Sequence, residues 1–412
     1  MLLLVNVLGI VVFLGVAVLF SRDRKLIQWR SIIVVLVIQL LIAWLFTGFE
    51  AGRNAVMAAA DGFNWLTGAA YDGIAFALPD WVKPASGSMN FVTSSVLPIL
   101  VIIPMFDCLT YIGLLPWLVK WIGKGLSFIT GQPEFESFFS IEMMFLGTTE
   151  VLAVSKAQLD RVSATRNLTV GMMSISCISA AIVGSYIQMM PGQYVLTAIP
   201  LNILSAIIIT NILNPVQVDA ADDITADMHL VDEKTGKTIR EPFFSFLGDS
   251  IVNAGKLALI IVGTVIGFVG LVAMIDKIFS LTGQGWFTLE NIFGVVMFPF
   301  AWLLGFNVQD AFQIGQYMGT KLVTNEFVVM QSVSKQAMSA TGAFANEHLR
   351  AVLTVFVTSF ANFGTLGMIL GTFKGMVSRE KSDLIAKNVP LILVSGILVS
   401  LLSAGMVGIF VW

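Results

Sequence analysis

The sequence predicts an all-α integral membrane protein with eight transmembrane helices, two re-entrant helical hairpins in an inverted repeat, and interfacial helices. Three observations predict it. Of 412 residues, 57% are hydrophobic and only 12% charged, about half the charged share of a soluble domain. Mean hydropathy is +0.87. Two apolar stretches too short to cross twice are interrupted by a carboxylate, at Gly147-Thr148-Thr149-Glu150 and at Thr324-Asn325-Glu326. A carboxylate at membrane depth is expensive and marks a functional site by default. Two of them in corresponding halves fit a site built at a repeat interface.

A spanning helix needs about 20 apolar residues. Span 1 is expected over 2–20 and span 2 over 31–48, with Arg22, Arg24, Lys25 and Arg30 between them. A signal peptide has its basic residues before the apolar run, so the first span is expected to be retained, with its N-terminus outside. Residues 49–88 are mixed, contain Trp65, Trp81 and Pro84, and are expected outside. Span 3 covers 90–115 and carries Asp107. Trp117, Lys120, Trp121 and Lys124 then read as an amphipathic helix in the interface over 116–130. Residues 134–160 form the first hairpin, since irregular backbone at depth is tolerated only where protein or a cavity surrounds it.

Span 4 covers 167–190, with a polar middle at Ser174, Ser176, Cys177 and Ser179; small residues of this kind also pack helices together. Span 5 covers 194–213. The charged stretch that follows is the best linker in the chain. Span 6 covers 251–275, and residues 289–306 resemble the earlier interfacial helix. Residues 309–345 form the second hairpin. Span 7 covers 350–373, a loop with Lys374, Arg379, Lys381 and Lys387 follows, and span 8 covers 389–411. The expected domains are therefore an N-terminal scaffold (1–89), a first repeat (90–214), a cytoplasmic linker (215–250) and a second repeat (251–412).

Charge supports this order. The expected cytoplasmic segments hold 17 of the 23 Lys and Arg residues, as the positive-inside rule requires with both termini outside. Lys321 falls among the six left over. Spans 4, 5 and 6 lie between the hairpins. Three crossings are odd, so the second hairpin enters from the opposite face.

Other classes are excluded or weakened. Net charge is −3 and no large basic cluster exists, so no nucleic-acid partner is expected. Two cysteines give no disulfide framework, and two histidines exclude a histidine-rich metal site. No metal and no cofactor are expected. HExxH, the P-loop, GxSxG and CxxC are missing, so an enzyme is not expected. Asn362 and Thr365, three apart, would share one helix face, as a site or as helix glue. Asp107 and Glu142 are lone acids in apolar surroundings.

These residues resemble the concentrative nucleoside transporter family over nearly the whole chain. The family's G-Q-[ST]-E motif stands here as Gly147-Thr148-Thr149-Glu150. Its N-E-F stands as Asn325-Glu326-Phe327, and its F-A-N-F-[SG]-[ST] as Phe360-Ala361-Asn362-Phe363-Gly364-Thr365. The resemblance implies a homotrimeric, ion-driven nucleoside importer in the cell membrane, each protomer with a scaffold and a mobile part holding both hairpins. It places Thr148, Thr149, Glu150 and Ile182 at the base, and Glu326, Asn362, Thr365 and Phe360 at the ribose. Two departures matter. Thr148 replaces the family's Gln, so purine nucleosides are expected at least as readily as pyrimidine ones. Met143 and Cys177 replace oxygen-bearing sodium ligands, and neither suits a hard cation. Proton coupling is therefore expected, with Glu150, Glu142 and Asp107 as carriers in that order. The alternatives are sodium coupling through the carbonyls of Leu146 and Ile178, a nucleoside-binding membrane sensor, or a membrane-embedded enzyme.

Overall fold

Among the described residues, six helices are long and apolar enough to cross a membrane: Leu2–Leu19, Trp29–Gly48, Val92–Tyr111, Gly192–Leu213, Phe243–Ser280 and Val389–Gly408. They match spans 1, 2, 3, 5, 6 and 8. The computed structural model describes residues 1–83, 89–176, 178–218, 223 and 242–412, and only the backbone at 149, 150, 153, 157 and 181. Among the described residues there are helices and loops and no strand.

Spans 4 and 7 are each two helices with a break between them, Ala164–Ser174 with Ala180–Ile187 and Glu347–Val357 with Phe363–Met376. The polar run Ser174–Ser179 and the run Ser359–Asn362 supply the breaks, because Ser and Asn side chains compete with the helical backbone for hydrogen bonds. Asn362 does this directly, its Oδ1 accepting from the Thr365 N–H at 2.8 Å as the N-cap of the second half. Asn362 and Thr365 are thus cap and first turn, not two positions on one continuous helix face.

The hairpins break in the same manner. Hairpin 1 runs Glu134–Phe145, then Thr148–Val154 and Lys156–Arg161. Hairpin 2 runs Val308–Val323, then Glu326–Ser339, and Asn325 caps the second arm by accepting from the Val328 N–H at 3.1 Å. The second arms begin at Thr148 and Glu326. Glu326 is therefore the first residue of its arm and Glu150 the third, so the two carboxylates do not occupy equivalent positions, although their motifs look alike.

Three segments differ from expectation. The mixed segment 49–88 contains one 28-residue helix, Glu50–Ala77; its many alanines favour helix, while Glu50, Arg53, Asp61 and Asp72 keep it too polar to cross. Residues 84–88 lie outside the described residues. The loop after span 7 holds a helix, Arg379–Lys387. Most of the linker, 219–222 and 224–241, lies outside the described residues, and span 6 already begins at Phe243, before the boundary expected at 251.

Spans 5 and 8 form the centre. Both are largely buried along their length and pack on each other. Ser403 Oγ donates to Ser205 Oγ at 2.8 Å where they meet, and Gln39 of span 2 donates to the same Ser205 at 2.6 Å. Span 6 and span 1, by contrast, leave most of their surface uncovered, as helices facing lipid do. Arg166, one residue before the expected start of span 4, is buried in the first turn of its helix. Its Nε and Nη2 donate to Glu136 Oε1 and Oε2 of hairpin 1, each at 2.7 Å. A buried arginine survives only with such a bidentate partner.

Candidate functional site

The four breaks meet around one cavity of about 300 Å³, at the lower end of the range for small-molecule sites. Four helix N-termini begin at its edge, at Thr148, Ala180, Glu326 and Phe363. Each places the positive end of a helix dipole at the cavity edge. Such a spot favours acceptors and carboxylates, and Glu326 sits at one of these starts. The remaining wall comes from spans 3 and 6, through Asp107, Asn253, Thr264 and Phe268 among others.

Glu326 is the best-defined polar group in the wall. It is 4% exposed. Tyr186 donates its O–H to Oε1 at 3.0 Å and Asn362 donates Nδ2–H to Oε2 at 3.1 Å. The Tyr186 ring is fixed edge-on against Phe327, with centroids 5.2 Å apart. The carboxylate therefore arrives oriented rather than free to turn. An ionised carboxylate has about four acceptor positions, and these two bonds leave room for more donors.

The expected site residues sort clearly. Thr148, Ile182, Glu326, Phe360, Asn362 and Thr365 all line the cavity. The Thr148 hydroxyl also reaches the Ser174 carbonyl at 3.5 Å across the break of span 4. Thr149 and Glu150 lie in the first turn of their arm, with side chains outside the described residues, and Cys177 lies outside them altogether. Asp107 lines the cavity and accepts from Ser250 Oγ at 2.5 Å. Glu142 is elsewhere: it is buried in hairpin 1, where Ser155 Oγ donates to it at 3.2 Å.

Sequence reasoning missed Tyr186 and the span 6 side chains. It also missed Lys321, which is completely buried. Its Nζ donates to the Phe356 carbonyl and Ser359 Oγ, both at 2.7 Å, and to Ser400 Oγ at 3.4 Å. A lysine five residues before Glu326, inside an apolar hairpin, was a signal that a charge tally across loops passes over.

Comparison with known proteins supplies an independent view. The family model described as Na+ dependent nucleoside transporter C-terminus matches residues 194–408, and the corresponding N-terminus model matches residues 8–81. The chain is 45% identical to the purine nucleoside transport protein NupG of Bacillus subtilis, over 99% of each chain. It is 23% identical to the nucleoside permease NupC of Helicobacter pylori, over 99% of this chain and 98% of that one. Among solved structures it is similar to CNTnw in an inward-facing substrate-bound state, with a TM-score of 0.90 at 24% identity, covering 100% of this chain and 98% of the other.

Proposed function

The chain belongs to the Na+ dependent nucleoside transporter family, and from that membership we propose a nucleoside importer working by alternating access and driven by proton symport. Membership makes it a multi-pass membrane nucleoside transporter rather than an enzyme. The finer reading assigns the ribose to Glu326, Asn362, Thr365 and Phe360, and the base to Thr148, Thr149, Glu150 and Ile182. It also takes both termini as external, the hairpins as re-entrant, the functional unit as a homotrimer, and residues 1–89, 90–214 and 251–412 as scaffold and repeats.

The observation that carries this reading is the oriented, buried Glu326 carboxylate in the cavity wall. A ribose offers two adjacent hydroxyl donors, and a carboxylate with unused acceptor positions is their natural partner. The cavity supplies apolar surface for the base beside it, through Ile182, Phe268 and Phe360. The test is accumulation of labelled inosine and uridine in proteoliposomes. Unchanged nucleoside should accumulate against its gradient, and a 2′,3′-dideoxynucleoside should compete poorly. Binding without accumulation would support a sensor and sink the transport reading.

Base preference turns on Thr148. Its side chain lines the cavity but is shorter than Gln and fixes fewer donors, which leaves room for the larger base; the similarity to a purine nucleoside transport protein agrees. Thr148→Gln should raise uridine uptake relative to inosine. An unchanged ratio would remove Thr148 from the base site.

Coupling to protons rests on what is missing for sodium. Met143 is buried and offers a thioether, a poor ligand for a hard ion. Uptake should run equally in choline and sodium buffers, rise as external pH falls, and collapse with a protonophore. Strict sodium dependence at constant pH would overturn proton coupling and point to the carbonyls of Leu146 and Ile178. Among the acids, position favours Asp107 over Glu142, because Asp107 lines the cavity and Glu142 does not. Asp107→Asn should flatten the pH dependence of uptake more than Glu142→Gln does.

A further inference from the structure

The two repeats can be aligned residue by residue through their breaks. The first arms of the hairpins end at Phe145 and Val323 and the second arms begin at Thr148 and Glu326. That alignment pairs Met143 with Lys321. The first halves of the broken spans end at Ser174 and Val357, and the second halves begin at Ala180 and Phe363. Ser176 is thereby paired with Ser359. Spans 5 and 8 touch through Ser205 and Ser403, as equivalent residues do on a two-fold axis. One helical step earlier, the same offset pairs Asn202 with Ser400.

In the second repeat these three positions make a closed polar knot. The Lys321 ammonium donates to Ser359 Oγ, Ser400 Oγ and the Phe356 carbonyl, and the two serine hydroxyls are themselves 2.5 Å apart. The knot ties the tip of hairpin 2, the break of span 7 and the middle of span 8 together. Every donor of the ammonium has an acceptor, which is what allows a lysine to be completely buried.

In the first repeat the same three positions face a cavity of about 10 Å³, lined also by Met173, Ile178 and Ile199. Met143 brings no ammonium. Ser176 and Asn202 are each 2% exposed, and Ser176 Oγ, Asn202 Oδ1 and Asn202 Nδ2 have no hydrogen-bond partner among the described residues. Three unpaired polar atoms around one small cavity are costly. About 10–15 Å³ of such space holds one water, given two or more polar partners.

We propose that this cavity is a binding site for a single water molecule, which pairs Ser176 and Asn202 in the first repeat as the Lys321 ammonium pairs Ser359 and Ser400 in the second. The chemistry selects water over a cation. Water accepts from Asn202 Nδ2 and donates to Ser176 Oγ. A cation accepts from nothing, so it would leave Nδ2 unpaired. The water links spans 4 and 5, whereas the Lys321 ammonium also ties hairpin 2 to spans 7 and 8. The inference rests on the repeat correspondence and stands apart from the substrate assignment.

The test is thermal unfolding of the full-length protein in detergent, in sodium chloride and in choline chloride at equal ionic strength. Asn202→Leu should lower Tm equally in both salts, because water and Ser176 lose a partner. Were the cavity dry, the same change would remove two unpaired polar atoms at similar volume and raise Tm, which would overturn the proposal. A wild-type Tm higher in sodium than in choline, with the difference lost in Asn202→Leu, would also overturn it, in favour of a sodium ion. Met143→Lys is the second variant. Its ammonium would displace the water and leave Asn202 Nδ2 unpaired, so Tm should fall, and adding Asn202→Ser, which reproduces the lysine and two serines of the second repeat, should restore it. A double variant no more stable than Met143→Lys alone would mean that the first repeat lacks the acceptors proposed here.

Discussion

Glu326→Gln is expected to abolish saturable nucleoside uptake while leaving the amount of folded protein near normal. The amide is the same size as the carboxylate but offers one acceptor oxygen and one N–H₂. Tyr186 donates to one carboxylate oxygen and Asn362 to the other, so an amide N–H₂ turned to Asn362 meets a donor, and one turned to Tyr186 forces the phenol to accept instead of donate. The charge-assisted bonds to a ribose diol are lost as well. A hydrogen bond to a charged group contributes about 1.5–3 kcal/mol, which is roughly 10- to 150-fold in binding. Asn362→Ala should act in the same direction by two routes. It removes the Nδ2 donor that orients Glu326 and the Oδ1 cap on the second half of span 7, the latter costing about 0.5–2 kcal/mol. Equilibrium binding of inosine to detergent-purified protein separates a lost site from a lost fold. Normal affinity and uptake in Glu326→Gln would show that the carboxylate does not hold the ribose.

The second large effect concerns stability. Arg166→Met should lower Tm sharply and reduce the yield of folded protein, because Glu136 is then left as a buried charge without its partner. Breaking a buried pair by removing one member costs about 3–5 kcal/mol, more than most single substitutions. The geometry leaves little room for compensation: both partners are almost fully buried, the contact is bidentate, and the guanidinium also lies over the Phe135 ring at 5.7 Å. Replacing both members, Arg166→Met with Glu136→Gln, should recover much of the loss, since no lone charge remains. A double variant no more stable than the worse single one would mean that the pair holds hairpin 1 on span 4 through geometry and not through charge balance. Uptake at low temperature distinguishes this from a site effect, because neither residue lines the cavity.

The order of helices was legible in the sequence because hydropathy is a local property. Apolar length located the six unbroken spans, whereas the breaks in spans 4 and 7 appeared only in the structure. Thr148, Glu326, Phe360, Asn362 and Thr365 were named on three short motifs and Ile182 through the family resemblance alone, and they meet at one cavity. Charge asymmetry and parity implied an inverted repeat before any contact was known.

Which polar groups meet across the fold was decided only in three dimensions. Glu326 and Tyr186 lie 140 residues apart, Lys321 and Ser400 lie 79 apart, and Glu136 and Arg166 lie 30 apart. Lys321 was left over by the charge tally and Arg166 stood just before the expected span 4, yet both are buried. The equivalence of Glu150 with Glu326, suggested by similar short motifs, gave way to a two-residue offset set by where each arm starts. The physical reason is the same in each case. Periodicity reports that a segment is apolar or broken, but the energy of a buried charge depends on what covers it and which acceptors reach it. Those are properties of packing between distant segments, and no local pattern in the chain records them.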